Sequence, residues 1–269
     1  MTGGIVSTLV SLDQITQLRE LERARGKREG VGYGPEFQAF LDRLKSGGVS
    51  PAAVQSHGKR RKGSAKLPTR DPRIIHQAKV LWDKGWTTGM KDDDGNPRYP
   101  TFADYLASIP DLPAFPAGYD ERFPHLVLVD RRVKVVEACQ MLNVKFEGNN
   151  RTLVAFDPAK ASTQPVYWMR CQDGKAYRHR KPSDCRMEFS SHGDEIGLDA
   201  LEGLACYVQE PSSLELNTAM DLPGSVHSGL RDNCAYLRRW ADDGVRLGWC
   251  WGGVADPSCG SASRGECVA

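Results

Sequence analysis

The sequence lacks the motifs that usually identify an enzyme class. There is no Gly-x-x-x-x-Gly-Lys phosphate loop, no Gly-x-Gly-x-x-Gly run after a predicted strand, and no Gly-x-Ser-x-Gly elbow around a serine. None of the eight cysteines belongs to a Cys-x-x-Cys pair, which is the usual half of a structural zinc site. We therefore predict no cofactor, and we expect the cysteines to pack singly as thiols rather than to bind zinc.

Long apolar runs are also missing. No stretch approaches the roughly 18 apolar residues that a membrane-spanning helix requires. The N-terminal residues have no charged n-region and are too polar for a secretory signal. The sequence thus predicts a cytoplasmic protein without a membrane partner, and in that compartment its thiols stay reduced.

Charge is distributed unevenly along the chain. Residues 1–80 hold 15 Lys or Arg against 7 Asp or Glu, whereas the remaining residues hold 21 against 27. A basic first third before an acidic body is typical of arms that bind nucleic acid. It also suits an arm that docks on its own acidic body.

We predict that this basic region consists of a helical pair and a linker. Residues 1–48 show apolar side chains at helical spacing in two segments, and each apolar face needs a partner. Residues 49–70 have no periodicity, are rich in charge and are predicted to be a basic flexible linker. The linker carries four candidate polyanion-binding residues, Lys59, Arg60, Arg61 and Lys62.

Residues 71–120 are predicted to be a helical and proline-rich connecting region. Asp71 and Pro72 have the residue types expected at the N-cap and first position of a helix, and Gly85 is expected to end it. A short helix is expected over residues 102–108. The prolines that follow predict an irregular segment.

From residue 121 to residue 269 the pattern predicts an α+β domain. The continuous apolar run at 125–129 predicts a buried strand, and Asp130 is expected to cap a helix that leads to a strand at 153–156 in a β-α-β unit. Another strand is expected at 166–169 and another helix at 198–209. The predicted fold is a mixed or antiparallel sheet with a C-terminal hairpin packed by a few helices, preceded by a helical N-terminal extension.

The C-terminal hairpin is the most strongly specified element of this domain. Two runs of aromatic and branched residues, 234–240 and 245–251, are separated by Asp242, Asp243 and Gly244, and Asp-Gly between such runs favours a hairpin turn. Alternation along the second run places Trp249 and Trp251 on its predicted core face. The Gly- and Ser-rich residues after the hairpin predict a loop.

The residues before the hairpin are also predicted to be a loop, and they include the candidate catalytic residues His227, Asp232 and Cys234. A cysteine, a histidine and an acid are the side chains of a nucleophilic site. The alternative interpretation is that His227 is hydrogen-bonded within the loop.

A second basic cluster lies in the polar segment near residue 180. Its candidate polyanion-binding residues are Arg178, Arg180, Lys181 and Arg186. The guanidinium group of arginine presents a planar fork of donors, which suits phosphate and carboxylate groups.

Residues 120–265 resemble a group of uncharacterised bacterial proteins. In that group a final hairpin of the form Leu-Gly-Trp-x-Trp is followed by Gly-Ser-Ala-Ser, and here Trp249, Trp251 and the run from Gly260 to Ser263 occupy those positions. The resemblance implies a bacterial protein with a domain of unknown function. It implies no activity and no catalytic residue.

Together these features favour a non-enzymatic binding protein that contacts nucleic acid or another polyanion through its basic segments. Two alternatives remain open. One is a hydrolase-like enzyme with a pocket between the loops at 178–186 and 224–234, near His227 and Asp232. The other is a protein–protein interaction module that binds its partner through residues 1–48.

Overall fold

The structure is a computed structural model that describes residues 70–266, which belong to one compact unit. The predicted helical pair at 1–48 and the predicted linker residues Lys59 to Lys62 lie outside the described residues. The domain boundary predicted at residue 121 falls inside the compact unit.

Helices and strands are both abundant, which confirms the predicted α+β class. The helices are α1 (Pro72–Asp83), α2 (Phe102–Ala107), α3 (Tyr119–Arg122), α4 (Val135–Met141), α5 (Pro182–His192) and α6 (Ala200–Gln209). The strands are β1 (His125–Asp130), β2 (Val144–Phe146), β3 (Leu153–Ala155), β4 (Val166–Gln172), β5 (Glu195–Gly197), β6 (Ala219–His227), β7 (Leu230–Trp240), β8 (Gly244–Trp251), β9 (Cys259–Ser261) and β10 (Ser263–Gly265).

The strands form two sheets rather than one. The first sheet has the order β1-β4-β10-β5 and is antiparallel throughout. The second has the order β2-β8-β7-β6-β3, with β9 also paired to β6, and only its β2–β8 and β6–β9 pairs are parallel. The predicted β-α-β unit is therefore wrong, because β1 joins the first sheet whereas β2 and β3 join the second.

Helix α6 is the centre of the packing. It contacts β1 of the first sheet and β6 and β7 of the second, and nine of its ten residues are buried. A helix that is apolar on all sides is stable only in such a position. The side chain of Gln209 also forms hydrogen bonds with the backbone at the outer edge of β1. It accepts from the Leu128 amide at 2.9 Å and donates to the Leu128 carbonyl at 2.8 Å.

The predicted C-terminal hairpin is confirmed as β7 and β8, with Gly244 at a φ of +73° in the turn. Its core face is only partly as expected. Val245 and Leu247 are buried and Trp249 packs partly against the core, but Trp251 is 66% exposed. The prediction of Trp251 as a core residue is wrong: Trp251 is the last residue of β8, and β2 pairs only with residues 245–247 at the other end of the strand.

Two predicted loops contain strands, although residues 252–258 are a loop as predicted. Residues 219–227 form β6, whose pairing with β7 shifts register between Leu222 and Val226, around Pro223 and Gly224. The Gly-Ser run forms β9 and β10, which carry the chain from the second sheet to the first and are fully buried. Gly260 lies against the backbone of Gly174, where neither position has room for a Cβ atom.

The predicted helices at 71, 102 and 198 are confirmed, but one local expectation is wrong and another is only partly correct. Asp130 does not cap α4; it is buried at the end of β1, where Arg132 pairs with it and the Tyr105 hydroxyl donates to it at 3.1 Å. The loop predicted at 178–186 is only partly correct, because residues 178–181 connect two helical segments and α5 begins at Pro182.

Candidate functional site

A small open cleft, with a volume of about 60 Å³, lies between α5, the β5–α6 connection and the middle of β6. The segment after β3, residues 155–161, forms its remaining wall. The lining combines apolar side chains such as Phe156 and Phe189 with several charged ones, which is the usual composition of a ligand site. The cleft occupies part of the region proposed from the sequence, since it includes Arg186 and Gly224.

A charge network centred on Glu202 forms one wall of the cleft. Glu202 is 1% exposed and accepts from Arg264 at 2.7 Å and from the Tyr167 hydroxyl at 2.6 Å. Arg131 lies 3.4 Å from the same carboxylate and also pairs with Asp199. Asp199 is the N-cap of α6, and its side chain and that of Glu202 each accept from the other residue's backbone amide.

The two carboxylates of this network have opposite pKa shifts. Burial, followed by the nearby charge of Glu202, raises the pKa of Asp199. Burial opposes ionisation of Glu202 as well, but the charges of Arg264 and Arg131 outweigh it and lower the pKa of Glu202. Because two cations and a hydroxyl satisfy Glu202, it serves to hold the cleft wall together rather than to accept a proton from a ligand.

Arg186 is a buried charged residue of the cleft whose hydrogen bonds are incomplete. It is 9% exposed, its Nε donates to the Pro223 carbonyl at 2.9 Å, and its guanidinium lies 4.3 Å from the centroid of the Phe156 ring. Its Nη2 is buried and has no hydrogen-bond partner, and it forms no ion pair with any described residue.

The position of Arg186 follows from the packing of α5. The buried residues of this helix are Pro182, Cys185, Arg186 and Phe189, so the arginine occupies one position of an apolar stripe. A buried guanidinium without an ion pair costs several kcal/mol in desolvation, and here the charge of the nearby buried Asp221 carboxylate offsets part of that cost. The cleft therefore offers a cationic donor to an anionic group.

The other predicted polyanion-binding residues near 180 lie on the surface. Arg178 pairs with Glu215 at 2.8 Å, Arg180 pairs with Glu188, and Lys181 is exposed at the N-cap of α5. Of this cluster, the structure places Arg186 alone in the cleft. Exposed ion pairs of this kind contribute about 0–1 kcal/mol, so a phosphate group can compete for these arginines.

The structure does not bring the three candidate catalytic residues together. His227 packs edge-on against Trp249 with 5.0 Å between ring centroids, and its Nδ1 accepts from the Gly229 amide at 3.1 Å. Cys234 is buried opposite Cys250. Since residues 249 and 250 point to opposite faces of β8, His227 and Cys234 lie on opposite faces of the sheet. Asp232 is exposed, and none of the three lines the cleft.

Sequence reasoning missed a second incompletely bonded group, Asp221 in β6. Asp221 is 1% exposed, accepts from the Cys250 thiol at 3.5 Å through Oδ1, and leaves Oδ2 without a partner. Burial raises its pKa to about 7. No pattern around Asp221 indicates its burial, because the Pro223-Gly224 pair conceals the strand to which it belongs.

Among residues 70–266, no group of three or more His, Cys, Asp or Glu side chains is arranged to hold a metal ion. Within the same residues, no helix has the length and apolar character needed to cross a membrane. No protein-family model, no curated protein and no solved structure matches the chain.

Proposed function

We propose that the protein is a binding protein for a small anion, and that Arg186 receives the carboxylate or phosphate group of its ligand in the cleft. The observation that carries the proposal is the buried Nη2 of Arg186, which has no hydrogen-bond acceptor among the described residues. The guanidinium forms no ion pair there, although its charge acts on the buried Asp221 carboxylate. An arginine binds carboxylate and phosphate oxygens through these atoms. Phe156 supports one face of the guanidinium and fixes its plane.

Protein partners hold three of the four carboxylates that line the cleft, whereas the fourth, Asp157, is exposed and accepts from the Ala159 amide. Glu202 and Asp199 are already engaged by Arg131 and Arg264 or by backbone amides. Glu195 accepts from the Ser263 hydroxyl and is paired with His192 at 2.6 Å. A general base needs a free lone pair within reach of the substrate. The lone pairs of these three carboxylates accept hydrogen bonds from protein groups instead.

Removing the Arg186 charge is expected to stabilise the protein and to abolish anion binding. In a buffer poor in small anions, Arg186→Met should raise the free energy of unfolding by about 1–2 kcal/mol, because a buried unpaired charge is replaced by an apolar chain. The wild type should gain about 2.7 kcal/mol from an anion at about 100 times its dissociation constant, and the variant should gain nothing. Thermal unfolding with inorganic phosphate and, separately, with acetate measures both effects at constant ionic strength.

Arg180→Met is the matched control, since Arg180 lies near the start of the same helix but is paired with Glu188 at the surface. It should leave stability within about 0.5 kcal/mol of the wild type and keep the response to anions. Stabilisation by phosphate alone would identify a phosphate ligand, and stabilisation by acetate alone a carboxylate. An equal response of wild type and Arg186→Met to both anions would refute the proposal.

We also propose that the chain is a cytoplasmic bacterial protein that binds nucleic acid through its basic segments. This second proposal rests on the excess of positive charge in residues 1–80. Neutralising Lys59, Arg60, Arg61 and Lys62 together should then weaken binding to DNA and flatten its salt dependence, by a slope of about 0.9 for each phosphate that the variant no longer neutralises. Filter binding at two salt concentrations measures this. Unchanged DNA binding by the fourfold variant would contradict this second proposal. Dissociation of a protein complex on deleting residues 1–70 would instead favour a protein–protein interaction module.

A further inference from the structure

Two buried thiols face each other in the core between β4 and α6. The Sγ atoms of Cys171 and Cys206 are 3.7 Å apart, and both residues are completely buried. An S–S bond is about 2.05 Å long, so forming one requires the two sulfur atoms to move closer together. Cys139, in contrast, is a buried thiol whose pKa burial alone raises to about 12.

An imidazole and a carboxylate lie beside this pair. His125 is the cross-strand partner of Cys171, and its Nε2 lies 3.5 Å from Oδ2 of Asp173. The hydrogen bond to Asp173 raises the pKa of His125. Burial opposes ionisation of Asp173, but hydrogen bonds from His125 and Lys175 outweigh it and lower the pKa of Asp173 to about 2. The His125 side chain is 19% exposed, whereas both thiols are completely buried.

These neighbours act differently on the two thiols. The hydrogen bond from Cys171 and the positive charge of His125 lower the pKa of Cys206 despite its burial. The same hydrogen bond, with burial, raises the pKa of Cys171. A thiolate beside an imidazolium is the reactive form of cysteine, and a neighbouring thiol can resolve its oxidation product.

We propose that Cys171 and Cys206 form an oxidation site, at which hydrogen peroxide converts the two thiols to an intramolecular disulfide. The Cys206 thiolate attacks one peroxide oxygen, the O–O bond breaks, and the departing hydroxide takes a proton to leave as water. Cys171 then attacks the sulfur of the Cys206 sulfenic acid, forming the S–S bond and releasing a second water. Each sulfur loses one electron, and the peroxide gains two.

Burial makes the reaction depend on opening of the local structure rather than on surface exposure. Residues 172–205, which the disulfide would enclose, include α5 and β5 and therefore much of the cleft wall. Closing such a loop restricts the unfolded chain, so oxidation should raise the melting temperature until a reductant reverses it. This inference is independent of the proposed ligand.

The test begins with the native full-length protein, which is treated with hydrogen peroxide. Its remaining thiols are alkylated under denaturing conditions, and peptides are mapped without reduction. The expected result is a cross-linked peptide pair containing Cys171 and Cys206, with Cys139 recovered in its alkylated form. Cys139→Ser should give the same cross-link, since it removes a buried thiol that takes no part in the pair. His125→Asn should slow cross-linking without changing its final extent.

Recovery of both Cys171 and Cys206 as alkylated thiols, at peroxide concentrations that oxidise other residues, would overturn the inference. So would a cross-link between Cys234 and Cys250, which are paired across β7 and β8, in place of the expected one. These outcomes need only the wild-type protein, so a folding defect in a variant does not affect them.

Discussion

Replacing Arg264 with methionine is expected to lower the free energy of unfolding by about 3–5 kcal/mol. Arg264 is 2% exposed in β10 and donates to Glu202, which is 1% exposed. The substitution would leave the Glu202 charge buried with only Arg131, Tyr167 and a backbone amide to stabilise it. Arg264 also donates to the Lys160 carbonyl at 3.2 Å, so the substitution would remove this hydrogen bond from the cleft wall as well. Urea unfolding measures the decrease.

Arg246→Met is the control for this prediction. Arg246 also forms ion pairs, with Glu147 and Asp243, but its side chain is 33% exposed. Solvent screens such pairs, so the variant should lose much less stability than Arg264→Met. Equal decreases in the two variants would show that the Glu202 network does not carry the stability assigned to it.

Replacing Asp221 with asparagine is expected to stabilise the protein at pH 8 but not at pH 4. The pKa of Asp221 is raised to about 7 in the folded protein from an ordinary value of 3.8. Between these values the folded protein holds a proton that the unfolded chain releases, so this stabilisation is complete below pH 3.8 and is lost as the pH rises through 7. The free energy of unfolding therefore decreases by up to about 4 kcal/mol as the pH rises. Asparagine resembles the protonated carboxyl, so the variant should avoid most of this decrease.

Unfolding of wild type and Asp221→Asn between pH 4 and pH 8 measures this effect. Asp243→Asn is the control, because hydrogen bonds from Lys145 and Arg246 lower the pKa of Asp243. A lowered pKa stabilises the folded state above the ordinary value, so this variant should gain no stability at pH 8. A difference between Asp221→Asn and wild type that is constant across the pH range would contradict the role given to Asp221.

The fold can be predicted where local patterns agree with tertiary packing. Asp243-Gly244 between two alternating runs predicts the β7–β8 hairpin, and Asp71-Pro72 predicts the start of α1. Prediction is wrong where a residue type is atypical of the helix or strand that contains it. Pro223 and Gly224 suggest a loop, although they lie at a register shift inside β6. The small residues of β9 and β10 suggest a flexible segment, although close backbone contact at Gly260 is the reason they are small.

The candidate site can be predicted only in part, for the same reason. Arg186 is a candidate because it belongs to a basic cluster, yet its burial results from the apolar stripe of α5, which the arginine itself interrupts. Phe156 and Pro223, which hold its guanidinium, lie 30 and 37 residues away in sequence. Contacts of that kind depend on how α5 packs against β6. No local pattern in the sequence specifies this packing.

The most direct test of the central proposal is a crystal structure of the protein grown with inorganic phosphate or acetate. We predict an oxygen of the anion at hydrogen-bonding distance from Nη2 of Arg186, beside the Phe156 ring and within the cleft. The proposal would be contradicted if Nη2 were satisfied by a protein group. A water molecule that bridges Nη2 to Oδ2 of Asp221, with no anion in the cleft, would contradict it equally.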